Sequence, residues 1–211
     1  MQNTFEALLG DFGTVDHETL PFPRLQDVVR TGYDEIIDPV YRSLGGVLTS
    51  AELNLRHWDL EFDGIAVELD EHLHFNRYRA ITLAAGAYVK LPGFPLVAYR
   101  RYCAEFESDC LRAGGYGGKW SKPSCERQFG IGAAPKVLDG NGAPRWKQRA
   151  FYDFVKDLSP LVLGVKVVRV AIWDCVVENG TPCTVKDVLS RPTVAGADAI
   201  AKLIHARAVS N

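Results

Sequence analysis

The stretch Arg56-His-Trp-Asp-Leu-Glu-Phe-Asp-Gly-Ile-Ala-Val-Glu-Leu-Asp-Glu-His-Leu-His74 decides how this chain is read. Asp63-Gly64 stands between two alternating runs. A two-residue turn needs the positive φ that Gly and Asp adopt at low cost, so the stretch predicts a β-hairpin. Closed at that turn, the hairpin pairs Phe62 with Ile65, Leu60 with Val67 and Trp58 with Leu69 on an apolar face. The other face sets Asp59 across from Glu68 and His57 across from Asp70, with Glu61 beside them. Like charges directly across a strand pair repel. A divalent cation bound by carboxylate oxygens is the most economical counter-charge, and the acidic face is where chemistry is expected.

Working outward, Leu25, Val28, Val29, Tyr33, Ile36, Ile37, Val40 and Tyr41 recur at helical spacing and stop at Gly45-Gly46. Before them, residues 1–23 read as irregular, broken by Gly10, Gly13, Pro21 and Pro23. A short strand around 47–53 leads into the hairpin, and a helix over about 76–89 follows, ended by Pro92 and Gly93. Residues 95–112 continue helically. The next segment, 114–130, is rich in glycine and cations and reads as a mobile loop. Its Lys119, Trp120, Lys122 and Arg127 combine phosphate-pairing charge with an aromatic face able to stack a base. A helix over 145–158 opens with Arg145, Lys147 and Arg149, cations that sit unfavourably at a helix N-terminus unless an anion compensates. A buried strand at 165–174 and one or two helices over 185–208, separated near Pro192 and Gly196, complete the chain.

The chain of 211 residues suits one domain, and its acidic and basic residues are separated along it. Residues 1–75 carry 15 Asp and Glu against 4 Lys and Arg, whereas residues 98–150 carry 5 against 10. That division fits either an internal neutralising interface or an acidic metal centre flanked by a basic surface for a polyanion. The five cysteines lack the close pairs of a zinc ribbon and read as reduced thiols, mostly buried. With neither a secretory segment nor a membrane-length apolar run, the expected location is cytoplasmic.

Metal-dependent phosphodiester cleavage needs carboxylates that hold Mg²⁺, which neutralises phosphate oxygens and acidifies an attacking water. Asp59 and Glu68 meet that need as metal ligands, Asp70 points to the same face, and His57 or His74 is placed to handle a proton.

Asp59-Leu-Glu-Phe, then Val67-Glu-Leu-Asp-Glu-His-Leu-His74, then Arg79 with Leu83 four residues later, resembles the core of the PD-(D/E)xK restriction-endonuclease-like superfamily. The branch it is most similar to is that of the very-short-patch-repair endonucleases. The resemblance implies a mixed β-sheet flanked by helices, with 24–91 and 160–211 as core and 92–159 as a helical and Gly/basic-loop insertion. It also implies Mg²⁺ or Mn²⁺ on Asp59 and Glu68, Asp70 in the place of the superfamily lysine, His74 as the downstream histidine, and Asp34 or Glu35 on the preceding helix with Arg79 as accessories. DNA is the implied partner, contacted by Lys119, Trp120, Lys122, Arg127 and Arg145, and a homodimer is open. The superfamily lysine is missing from its usual position, which leaves water activation to a histidine or a lysine from elsewhere such as Lys90. Two other readings stand beside this one. The chain is either an inactive nuclease-like module that binds nucleic acid or protein, or a transition-metal hydrolase using His72, His74 and Asp70 or His57.

Overall fold

A computed structural model describes residues 1–16 and 20–209 and shows a mixed α/β fold, a four-stranded mixed sheet flanked by helices. The hairpin forms as its turn demands. Strands β2 (Leu60–Phe62) and β3 (Ile65–Asp70) pair Phe62 with Ile65 and Leu60 with Val67, following β1 (Val15–Asp16) in the chain. Asp63 and Gly64 take φ of 51° and 73°, as a tight hairpin turn requires. The Asp63 carboxylate accepts from the Thr14 amide at 2.9 Å, which docks β1 antiparallel to β2 as the sheet edge. Strand β4 (Val167–Ala171) lies parallel to β3, with Glu68 in register with Arg169 and Asp70 with Ala171. A parallel neighbour needs a long crossover, and residues 71–166 supply it, mostly as helices.

The pairing stops earlier than the sequence suggests. The Asp59 side chain accepts from the Leu69 amide at 2.9 Å, so a carboxylate takes the place a backbone carbonyl would fill in the ladder. Trp58 therefore does not stand opposite Leu69. It packs with Leu20 and Leu163 against Ala66, Val165 and Val167. His57 likewise does not face Asp70; it is exposed, its ring edge-on to Phe22.

Several expected elements are shorter or elsewhere. The first amphipathic segment divides into helices Leu25–Arg30 and Asp34–Ser43, because Gly32 turns the chain at φ 73°. The segment near 76–89 becomes a helix over Arg77–Thr82 and a 3₁₀ turn over Gly86–Lys90, and residues 95–112 break at Phe106. No strand forms at 47–53, whereas residues 1–23, expected irregular, hold the helix Gln2–Leu9 and β1, with 17–19 outside the described residues. The apolar run at 161–177 yields β4 and then β5 (Cys175–Glu178), which pairs with β6 (Thr181–Thr184) through a turn at Asn179-Gly180. Two terminal helices, Val185–Ser190 and Val194–Val209, agree with the expected break near Pro192.

Residues 92–159 are not appended to the core; they complete it. Tyr99, Tyr102, Trp120, Phe129, Trp146, Phe151 and Phe154 belong to the same buried cluster as Leu60, Val67 and Val170. The segment expected as a mobile loop instead forms the helices Gly117–Trp120 and Pro123–Phe129, which bury Trp120, Cys125 and Phe129. The sheet is covered on both faces. His205 of the Val194–Val209 helix lies against Phe62 on the apolar face, with ring centroids 5.3 Å apart. The helix Pro144–Asp157 lies over the face that carries Glu68 and Arg169.

Candidate active site

The helix Pro144–Asp157 explains why charged residues meet beneath it. Trp146, Ala150, Phe151, Phe154 and Val155 fill the core, while Arg149, Asp153, Lys156 and Asp157, spaced by three and four residues, form a polar stripe toward the sheet. Opposite stand Glu68 and Asp70 of β3 and Arg169 of β4, each 5 % exposed or less.

Arg169 is the hub. Its Nη1 donates to Asp70 Oδ1 at 2.8 Å and to Asp153 Oδ1 at 3.4 Å, its Nε donates to Asp157 Oδ1 at 2.8 Å, and Nη1 lies 3.6 Å from Glu68 Oε2. Asp157 also takes Arg79 Nη2 at 2.7 Å and the Tyr88 hydroxyl at 2.6 Å. Arg79, positioned by the Asn76 cap at the start of its helix, is thus a buried strut beneath the site and stands away from the cleft. Asp70 is held on both oxygens, by Arg169 and His74 on one and by the Tyr99 hydroxyl at 2.8 Å on the other. The sequence assigns Asp70 to the metal, yet a cation could reach it only by displacing one of these partners.

His74 Nδ1 sits 2.8 Å from Asp153 and 3.1 Å from Asp70. Burial alone would lower its pKa, but the two carboxylates outweigh burial and raise it. Asp153 is held well below the usual carboxylate range: burial opposes ionisation, and His74 and Arg169 overcome that opposition. Ligand atoms of Asp70, His74 and Asp153 lie within 4.8 Å of one another, a spacing that also suits a metal ion.

The second half of the site joins Asp59, Glu68 and Lys156. Lys156 Nζ donates to Glu68 Oε1 at 2.5 Å and to the His57 carbonyl at 2.9 Å, and it sits 5.0 Å from the centre of the Trp58 ring. Burial pushes the Glu68 carboxyl up to about 7 against the pull of Lys156 and Arg169, with the Asp59 charge adding to the rise. Burial raises Asp59 as well. Only Asp59 Oδ2 is engaged, by the Leu69 amide; among the described residues Oδ1 has no partner.

Asp59, His74, Asp153 and Lys156 line a cleft of about 260 Å³ together with His57, Tyr152, Arg56, Arg145 and Arg149. A second depression, lined by Lys122, Arg127, Glu52 and Gln128, shares Asn54, Arg56, Arg145 and Tyr152 with the cleft, so the two form one trough. Of the cations expected to contact phosphate, Lys122, Arg127 and Arg145 border this trough, and Arg127 is paired there with Glu52. Lys119 is not among the trough residues and instead donates to the Ala113 carbonyl. Trp120 cannot stack a base: it is buried edge-on to Trp146, with its indole N–H on the Ala133 carbonyl. Asp34 and Glu35 line a separate groove with Leu25 and Ile37, and Lys90 lies exposed by the Tyr33 ring. His72 turns away from His74 toward Trp173, so the expected His-x-His pair does not converge.

Sequence reasoning missed Lys156, Asp153, Asp157 and Arg169. Arg169 was discoverable as one of two cations inside the valine run 165–170, and the other three as a polar stripe along a helix that also carries Trp146, Phe151 and Phe154.

Fold and cleft together define an α/β protein with recessed carboxylates at the end of a basic trough. The chain belongs to DUF7255, a family of unknown function whose model matches residues 39–191 and so spans the whole cleft floor. No curated protein and no solved structure matches it.

Proposed function

We propose that this protein is a metal-dependent nuclease that hydrolyses DNA phosphodiester bonds from a restriction-endonuclease-like core. The observation that carries this reading is the position of Lys156 against Glu68. The lysine missing from the Glu-x-Lys position of the strand reaches the same carboxylate from the helix Pro144–Asp157. It does so beside Asp59, where the basic trough ends.

The residues present fit a magnesium ion, which prefers one or two protein carboxylates and otherwise binds waters and substrate phosphate. Asp59 offers its unengaged Oδ1, and Glu68 would take the ion on Oε2, sharing that oxygen with the Arg169 guanidinium 3.6 Å away, since Lys156 holds Oε1. Mg²⁺ or Mn²⁺ bound there supplies charge neutralisation for the phosphate and acidifies water. Lys156 neutralises Glu68 and would orient the nucleophilic water, which would attack phosphorus as the bond to the leaving oxygen breaks, its released proton passing to the solvent of the open cleft. His74, whose proton affinity Asp153 and Asp70 raise, would give a proton to that leaving oxygen; its Nδ1 is occupied, which leaves Nε2 for the substrate. Arg145 and Arg149 hold the phosphates on either side.

Asp59→Ala and Glu68→Ala are expected to abolish Mg²⁺-dependent nicking of plasmid and single-stranded circular DNA while the fold persists. Undiminished cleavage by both variants overturns the reading. A transition-metal hydrolase is the second reading, favoured by the 4.8 Å spacing of the Asp70, His74 and Asp153 ligand atoms. Arg169 weighs against it, because its guanidinium already neutralises both carboxylates. The inactive-module reading draws on the lysine absent from the strand, and the contact of Lys156 with Glu68 weighs against it.

A further inference from the structure

Resting on the nuclease reading, we infer that the trough takes a single DNA strand, or a locally unpaired stretch, and that it does not accommodate an intact duplex. Three observations converge on this. Asp153 and Lys156 line the cleft at 5 % and 7 % exposed, and Glu68, bonded to Lys156, is 5 % exposed and outside the lining, so Asp59, Asp153 and Lys156 form the floor of a recess. A duplex displays its phosphates on the outside of a stiff cylinder. Lowering one of them into a recess requires bending or locally opening the duplex, at about a few kcal/mol, and that cost is least for a strand already unpaired.

The recess is fed by cations that make no direct ion pair. Arg56, Lys122, Arg145 and Arg149 line the trough, and among the described residues none of the four has an ion-pair partner. Lys122 and Arg56 are exposed, whereas Arg149 is recessed enough that burial lowers its pKa. Four cations outside any direct ion pair, leading to a carboxylate floor, make a track for a flexible polyanion.

Aromatic rings complete the track. Tyr152 lines both halves of the trough, its hydroxyl fixed by Gln128 at 3.0 Å and by the Glu52 carbonyl at 3.3 Å. His57 lines the inner half, backed by Phe22. Such rings stack bases of any identity, at about 1–3 kcal/mol per base, but only when the bases are not paired in a duplex.

Fluorescence anisotropy with a labelled oligo-dT strand and a labelled hairpin duplex tests the inference, using the Glu68→Gln protein in Ca²⁺ so that binding is read without cleavage. The single strand is expected to bind at least about tenfold more tightly. Tyr152→Ala is expected to weaken the strand and leave the duplex unchanged. Arg56→Gln is expected to flatten the slope of log K against log salt by about 0.7. Equal or tighter duplex binding overturns the inference, even where wild-type protein cleaves duplex DNA and the nuclease reading stands. Failure of the wild-type protein to cleave either form counts against the nuclease reading, while strand preference in binding is still decided by the anisotropy.

Discussion

Lys156 Nζ lies 2.5 Å from Glu68 Oε1, a contact between a helix and a strand 88 positions apart in the chain. Replacing Lys156 by Met removes the cation, which sits over the Trp58 ring, while keeping an unbranched apolar side chain of similar length. Glu68 can absorb the loss by staying protonated, since its pKa already stands at about 7. Lys156→Met is therefore expected to keep its fold and lose roughly 10²–10³-fold in Mg²⁺-dependent nicking rate. A rate within a few fold of wild type shows that Lys156 takes no part in the reaction.

The pH dependence of stability follows from the same carboxyl. Glu68 binds its proton more tightly in the folded protein, at about 7, than its ordinary 4.5, so ionised Glu68 costs stability above that range. The cost is on the order of 3 kcal/mol and fades as pH falls from about 7 toward 4.5. Metal-free protein is expected to melt higher near pH 5 than near pH 8. The Glu68→Gln protein is expected to lose most of that slope. Because cation and proton compete for the carboxylate, the rise in melting temperature given by Mn²⁺ grows with pH. A Mn²⁺ effect independent of pH across this interval contradicts the assignment of Glu68 as a ligand.

Arg169 is fully buried among four carboxylates, three of which it holds by hydrogen bonds. Removing one partner of a buried ion network leaves the rest uncompensated, at about 3–5 kcal/mol. Arg169→Met is expected to unfold at correspondingly lower urea. Arg101→Ala, an exposed helix pair with Glu105, is expected to change stability by less than about 0.5 kcal/mol. Equal effects of the two substitutions show that the network contributes nothing to folding.

Gly142 sets the entry to the helix that carries Arg145, Asp153 and Lys156. Its φ is +59°, and a Cβ there would lie 1.8 Å from the Tyr78 hydroxyl, which accepts from the Ala143 amide. Gly142→Ala is expected to cost at least about 1–3 kcal/mol in urea denaturation and to reduce cleavage by shifting the helix start. Gly140, also at positive φ but with open space around its Cβ position, is the comparison, expected to cost less when changed to Ala. The reverse order contradicts this account of the loop.

The hairpin was legible because its turn and alternation are local: Asp63-Gly64, Leu60 opposite Val67 and Phe62 opposite Ile65 all follow from neighbours in sequence. Where a side chain intervened, the local reading failed. Asp59 bonding the Leu69 amide ends the ladder, and no pattern in the residues announces that choice. Trp120 looked free because glycines and lysines surround it, yet two short helices carry its ring into the core. Lys156 and Arg169 meet their carboxylates only through the long crossover between β3 and β4, a non-local contact that periodicity does not encode.

The metal position is the point on which the nuclease reading turns, and anomalous diffraction from a crystal soaked in Mn²⁺ locates it directly. The expected result is a peak in contact with Asp59 and Glu68, with Lys156 alongside. A peak held instead by Asp70, His74 and Asp153, or no peak at saturating Mn²⁺, contradicts it.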